Sequence, residues 1–516
     1  MLKPESATAW MAGQDHDGLL AAIRHSAHDL RCESSATQTG ARQAAMKPTP
    51  TRPHPTHRPP LRATLALLGF LLAPSPTSAQ EDYDYGANCT SWPSVSGPHA
   101  VGTVEFELTD SLRSAQYAPE PTAHRRLYVR AWYPAQAPDP DAQPRPYFTE
   151  AEVTVLPGML LPALQQPADA LRGCANLASN SYQAAEPRPG SFPVIGYNHG
   201  YTSYPAQQTA LFEHLAANGY VVFSVGHPYE SGGLVYPNGD ALLLSPAILE
   251  DLMRYAANGA SMTVHYPPSV AEALEAVPEY LRELRKTSLG QLGPVWQADV
   301  RFVLDRLEDM NVPASAEGVA AAIDHGNRGY MGMSYGGYIA AMLAQDDHRA
   351  KAAINLDGGY WTGELIDADV RTPFLMLNSD PTVVMATMPE EFNVYRGTYG
   401  AHAPTAGDLA YERLAAAGVR DDIHRIMIPG VQHIAVSDFP EVLGAPGTAP
   451  LLGEPEMTAK LTAIQNDFVL GFLDRYMKGI GSNYPANVLE DYPELFVRDR
   501  NDIRQQAEAL GIGARR

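Results

Sequence analysis

The chain has 516 residues, 45% of them apolar, which is enough for one large domain with insertions, or two or three ordinary ones, and a sizeable core. A formal net charge of −21 leaves no electrostatic footprint for nucleic acid and argues against docking on anionic lipid through charge. With 44 prolines and 42 glycines, the composition suits a loop-rich α/β architecture.

The chain opens on residues 1–45, which have no targeting logic; translation is expected to start at Met46. Lys47, Arg52, Arg58 and Arg62 then form a basic region, followed by the apolar run Ala63 to Ala73 and the small-residue stretch Pro74 to Ala79. That order is the order of a secretory signal, 46–79, with cleavage after Ala79. The apolar run is too short to span a bilayer. The sequence therefore predicts a secreted or periplasmic protein whose residues 80–100 form an N-terminal arm. Of three cysteines, Cys32 lies upstream of the signal, so Cys89 and Cys174 are expected to form one disulfide in an oxidising compartment. No Cys/His cluster has zinc spacing, and no metal or cofactor is expected.

One folded domain is expected over 101–480, with 481–516 as a tail. Thr103 to Leu108 alternates apolar and polar residues, as a half-buried antiparallel strand should, and so does Arg126 to Tyr133. Val153 to Leu164 is apolar and is read as core packing, with a lipid-facing role as the alternative. Phe192 to Tyr197 is a short strand that ends at Asn198-His199-Gly200. Ala206 to Ala217 has helical spacing and stops at Asn218-Gly219. Tyr220 to Val225 is a continuous apolar strand of the kind buried on both faces of a parallel sheet. Residues 229–290 break the alternation and are read as an insertion that caps the site or lies on the surface. Pro294 to Met310 resumes a helix with Trp296, Val300, Val303, Leu304 and Leu307 on one face. Strands follow at Arg328 to Gly332, Ala352 to Leu356, Pro373 to Leu377 and Asp422 to Ile428. A helix is expected over Gly336 to Gln345 and a long one over Thr458 to Met477. This alternation implies a mostly parallel sheet covered by helices on both faces.

Gly332-Met333-Ser334-Tyr335-Gly336 fits the pattern G-x-S-x-G between a strand and a helix, the setting of a nucleophile elbow in the α/β-hydrolase fold. Small flanking residues permit the tight turn, and the start of the following helix favours developing negative charge. A serine hydroxyl needs a base to take its proton. His433 follows the last strand and the turn Pro429-Gly430 and is the favoured base; His424 falls inside the strand, and His402 has no strand before it. Two carboxylates end parallel strands at the same edge as Ser334. Asp357 lies in Asn355-Leu356-Asp357-Gly358-Gly359, and Asp380 in Asn378-Ser379-Asp380-Pro381. The residues themselves leave the choice open, and general fold logic leans slightly to the later strand. The backbone N–H groups of Tyr201 and Tyr335 are the candidates for an oxyanion hole, with His199 as a brace for the first of these loops.

The strand RLYVRAWYPA, the run FPVIGYNHGYTS, the segment VVFSVGHPYES, the elbow GMSYGG, the turn AINLDGG, the strand TPFLMLNSD and the loop PGVQHIAVSDFP together resemble the plasma-type platelet-activating factor acetylhydrolase family and its bacterial relatives. The resemblance runs from about Arg126 to Phe439. It implies an α/β-hydrolase that cleaves short or oxidised acyl chains from phospholipids without a metal, and it favours Asp357 as the acid. Met333 and Tyr335 depart from the His and Phe of the animal enzymes, and 229–290 looks longer, so the substrate is less determined than the chemistry. Bacterial cutinases and polyester hydrolases, similar around the elbow, would instead place the acid at Asp380. Other rivals are a dienelactone-hydrolase-like esterase, a serine peptidase and a non-catalytic binding module. A small-molecule or lipid ester is the expected partner, with at most peripheral contact with lipid.

Overall fold

The computed structural model describes residues 89, 91–156, 171–256, 270–359, 372–380, 383, 422–443, 452–481 and 483–497. The expected signal segment 46–79 and His402 lie outside them. Two long antiparallel strands, β1 (Ala100–Ser114) and β2 (His124–Ala135), lead into the sheet, and β3 (Ser181–Gln183) pairs parallel with β1. The parallel series is β4 (Phe192–Asn198), β5 (Val221–Gly226), β8 (Ile323–Met333), β9 (Ala350–Leu356), β10 (Phe374–Asn378) and β11 (Ile423–Met427). Between β5 and β8 the hairpin β6 (Gly233–Val235) and β7 (Ala241–Leu243) forms its own small sheet. The strand β12 (Phe496–Val497) closes the far edge, antiparallel to β11. The ten-stranded order is β12-β11-β10-β9-β8-β4-β5-β2-β1-β3.

Successive residues of a strand point to opposite faces, and here they feed two separate cores. Val194, Tyr330, Ala353 and Phe374 enter one core, while Ile195, Met331, Ile354 and Leu375 enter the other. Helix α1 (Glu150–Val155) buries Val153, and Leu156 after it is buried as well, which fits the core reading; residues 157–164 of that stretch lie outside the described residues. The second core is covered by α2 (Thr209–Ala217) and, near the end of the chain, by a helix over Leu461–Leu473. The first core is covered by α3 (Pro246–Ala256), α4 (Val270–Leu284), α5 (Ser288–Glu308), α6 (Ala314–Ala321) and α7 (Tyr335–Asp346). The predicted apolar face of α5 is buried as expected, from Trp296 to Leu307. The helix starts earlier than Pro294 because buried Leu289 and Leu292 extend the same face toward its N-terminus. Strands β3 and β12, at three and two residues, are too short to show periodicity, and both take their order from the neighbour they pair with.

Cys89 and Cys174 form the expected disulfide across a sequence separation of 85. Closing a loop that long stabilises a fold by about 4–5 kcal/mol in the chain-entropy picture. Beneath β2 and β5 lies a buried ion cluster. Arg125 donates from Nε and one terminal nitrogen to Asp299 (2.7 and 2.6 Å) and from both terminal nitrogens to Glu230 (2.8 and 2.7 Å). Trp296 Nε1 donates to the same Glu230 (2.7 Å). Charges this deep are tolerated because each is paired and hydrogen-bonded; removing one partner would strand the others. The cluster ties β2, the segment after β5 and α5 together behind the C-terminal ends of the strands.

Candidate active site

Register brings the candidate residues to one edge. Asn198 sits opposite Gly332, Met333 opposite Leu356, Leu356 opposite Leu377 and Asn378 opposite Met427, so β4, β8, β9, β10 and β11 end together. The crevice beyond the carboxyl ends of parallel strands is where open α/β sheets bind ligands.

Ser334 stands between β8 and α7 with φ 55° and ψ −120°, a left-sided conformation that costs a non-glycine residue energy and persists only when its surroundings enforce it. The enforcement is visible. Ser334 N–H donates to the Leu356 carbonyl of β9 (2.8 Å), and Gly337 N–H returns to the Ser334 carbonyl (2.9 Å). Any side chain at Gly332 would strike the Gly336 backbone, and any at Gly336 would strike the Asn198 carbonyl. The spacing G-x-S-x-G is therefore a packing requirement of the elbow.

His433 lies in a short 3-10 turn, His433–Ala435, after β11 and the Pro429-Gly430 turn. Its Nε2 is 2.9 Å from Ser334 Oγ and its Nδ1 is 2.6 Å from Asp357 Oδ2. A neutral imidazole has one donor and one acceptor nitrogen. With Nδ1–H donating to the carboxylate, Nε2 is left to accept from the serine hydroxyl. Asp357 follows β9 at φ 56°, a conformation that Asp adopts more readily than most residues. Ser379, at the end of β10, donates to the same carboxylate from its N–H (2.9 Å) and its Oγ (2.5 Å). Burial pushes the Asp357 carboxyl up, but the His433 hydrogen bond and charge, joined by Ser379, hold it below the usual carboxylate range.

The rival residues are occupied elsewhere. Asp380 accepts Gly430 N–H at 3.0 Å, and its own N–H donates to the Val431 carbonyl (2.8 Å), so it braces the turn that carries His433. His424 points away, within 2.8 Å of Tyr476 Oη. His199 is fully buried and bridges Gly200 O (2.7 Å, through Nδ1) and Ser231 Oγ (2.7 Å, through Nε2). Burial first, and the nearby His227 second, bring its pKa down to about 3, so it is a neutral brace. Gly200 lies against the elbow: a side-chain carbon there would be 3.5 Å from Ser334 Cβ. The loop bearing the Tyr201 amide thus faces the serine. The sequence reading missed Ser379, Ser231 and Gln207, the hydrogen-bond partners of Asp357, His199 and Gly200. Only Ser379, beside Asp380 in Asn378-Ser379-Asp380, offered a positional clue.

The pH dependence follows from Asp357. A carboxyl held lower in the folded state than in the unfolded chain adds stability above its unfolded pKa, and that stability is lost as pH falls through the folded value. Ser379→Ala removes a donor to the ionised form, so the folded value rises and the acid-side loss begins at higher pH. Urea midpoints measured from neutral pH down to about pH 3, below the ordinary Asp pKa, should show the variant weakening before the parent. Superimposable profiles would mean that Ser379 does not hold the ionised carboxylate.

A ten-stranded, mostly parallel sheet with a strained serine elbow at its C-terminal edge defines an α/β-hydrolase. The chain belongs to the family described as platelet-activating factor acetylhydrolase, isoform II, whose model matches residues 86–478, and it is a carboxylic ester hydrolase. It is 21% identical over 430 residues to the probable 1-alkyl-2-acetylglycerophosphocholine esterase of Arthroderma benhamiae, covering 77% of this chain and 93% of that one. It is 23% identical over 296 residues to the platelet-activating factor acetylhydrolase of Cavia porcellus, covering 56% of this chain and 61% of the relative. A solved ferulic acid esterase from Streptomyces cinnamoneus shares the fold, with a TM-score of 0.55 and 22% identity over 79% of this chain and 98% of its own.

Proposed function

We propose that the protein is a secreted serine esterase that removes short acyl chains from esters, including phospholipids of the platelet-activating-factor type, through an acyl-enzyme on Ser334. The observation that carries the reading is the continuous hydrogen-bonded line from Asp357 through His433 to Ser334, at 2.6 and 2.9 Å. In this mechanism His433 Nε2 takes the Ser334 proton as Oγ attacks the ester carbonyl. Asp357 fixes the imidazole tautomer and stabilises the imidazolium. The Tyr201 and Tyr335 amides hold the tetrahedral oxyanion. Collapse expels the alcohol, which takes the proton back from His433. A water molecule then gives a proton to His433 as it attacks the acyl carbon; collapse breaks the bond to Ser334 Oγ, which takes that proton back from His433 as the carboxylic acid leaves.

The names of the two relatives support an alkyl-acetyl glycerophosphocholine as substrate. Met333 and Tyr335 beside the serine, with the hairpin Gly233–Leu243 and the helices α3 and α4 after β5, would shape this chain's acyl and leaving-group pockets. Secretion through the 46–79 signal accords with the Cys89–Cys174 disulfide, because disulfides persist in oxidising compartments. Among the described residues no helix is long and apolar enough to cross a membrane.

A panel of p-nitrophenyl esters from acetate to laurate, run beside a glycerophosphocholine with an sn-2 acetyl group, tests the substrate class. The expected order is acetate above laurate in kcat/KM, with hydrolysis of the acetyl phospholipid at a comparable rate. A maximum at the long chains, or inertness toward the phospholipid with full activity on aryl esters, would overturn the short-acyl phospholipid reading.

A further inference from the structure

Two loops must agree in position for the proposed chemistry: the one after β4, which offers the Tyr201 amide, and the one after β11, which carries His433. They belong to strands on either side of β8, and one buried residue touches both, the first through its side chain and the second through its backbone. Gln207 is 1% exposed. Its Oε1 accepts Gly200 N–H at 2.7 Å, and its backbone carbonyl accepts Asp438 N–H at 2.8 Å. Asp438 closes the His433 loop and is itself bound to the start of α2, accepting Thr209 N–H at 2.5 Å.

The consequence for Tyr201 is geometric. In a trans peptide the C=O and the next N–H point in opposite directions. The Gly200 carbonyl is held by His199 Nδ1–H (2.7 Å) and Ser203 N–H (2.9 Å), which directs the Tyr201 N–H the other way. Gln207 fixes the peptide just before it, at the point where a Gly200 side-chain carbon would touch both Gln207 Oε1 (3.6 Å) and Ser334 Cβ (3.5 Å). Without Gln207 the Gly200 N–H loses its acceptor, and only the bonds to the Gly200 carbonyl then hold the turn that aims the Tyr201 amide.

We infer that Gln207 is a positioning residue, which sets the oxyanion donor of the β4 loop in register with the histidine of the β11 loop. The inference rests on the reading of Ser334 as nucleophile and of the Tyr201 amide as an oxyanion donor. It predicts a defect that appears in the transition state and spares substrate binding. A donor displaced by a fraction of an ångström costs rate because the oxyanion exists only there.

The experiment uses the full secreted protein and counts active sites by fluorophosphonate titration, so that partly misfolded preparations do not enter the rate. Gln207→Met keeps the volume and removes the acceptor; Gln207→Glu keeps an acceptor oxygen in place. Expected for the Met variant is a kcat per titrated site lower by about tenfold to a hundredfold, with KM unchanged within about twofold. The inhibition constant of a trifluoromethyl ketone, whose tetrahedral adduct puts an oxyanion in the hole, should rise by the same factor. The Glu variant should recover most of both. If the Met variant does not fold, Gln207→Asn, which draws the carbonyl back by one methylene, carries the same expectations. An unchanged kcat per site, an unchanged ketone affinity, or a Glu variant as impaired as Met would each overturn the inference. Ser334→Ala serves as the control: turnover by that variant would instead overturn the nucleophile assignment on which the inference rests.

Discussion

Replacing Ser334 by alanine should abolish both fluorophosphonate labelling and ester turnover, with kcat falling by about a millionfold, the loss typical when a serine nucleophile is removed. The size follows from what the hydroxyl contributes. Without Oγ there is no atom to accept the acyl group, and His433 has no proton to take. The rest of the site survives. Alanine has the same Cβ as serine, so the strained φ of 55° is neither relieved nor worsened. The backbone bonds from Ser334 N–H to Leu356 and from Gly337 N–H to Ser334 remain. Thermal melting should therefore stay close to that of the parent, which separates lost chemistry from lost fold. A Ser334→Ala protein that is still labelled at a single site would place the nucleophile elsewhere.

The second large effect separates the two carboxylates. Asp357→Asn should lower kcat by about four orders of magnitude, since an amide facing His433 Nδ1 favours the wrong tautomer and cannot stabilise imidazolium. Asp380→Asn should leave kcat within about tenfold, because its carboxylate contacts the Gly430 N–H and not the imidazole. The loss there is expected in stability: the Gly430 turn gives up a charge-assisted hydrogen bond, a cost of about 1–3 kcal/mol. Measuring kcat and the urea midpoint on both variants gives a crossed pattern. The opposite pattern, with Asp380→Asn inactive and Asp357→Asn active, would move the acid to β10 and favour a polyester-hydrolase type of site.

The two carboxylates also show why sequence reading stops where it does. Asp357 and Asp380 each end a buried parallel strand, each has small or polar neighbours, and β9 and β10 are adjacent in the sheet. Hydrophobic periodicity reports which face of a strand is buried, but it carries nothing about the direction the chain takes on leaving the strand. At Asp357 the backbone turns to φ 56° and swings the carboxylate under His433. At Asp380 the chain stays hydrogen-bonded to Val431, so the carboxylate meets Gly430 instead. The family resemblance favoured Asp357, and the geometry places that carboxylate against the imidazole.

Much of the rest was legible in the residues alone. The antiparallel lead-in, the parallel strands and the core face of α5 follow from alternation, from continuous apolar runs and from helical spacing, because burial of one face or two is what those patterns encode. The elbow was legible because a strained turn between packed elements excludes side chains at Gly332 and Gly336, and that exclusion is written as glycine. Ser334, His433 and a carboxylate between them, Asp357 or Asp380, were legible as well. The tertiary structure decided which carboxylate meets the histidine, how Ser379 holds it, and how Gln207 and Asp438 join two loops that are far apart in sequence. Those contacts depend on side-chain direction across strands brought together only by folding, and a local pattern has no term for a partner tens to hundreds of residues away.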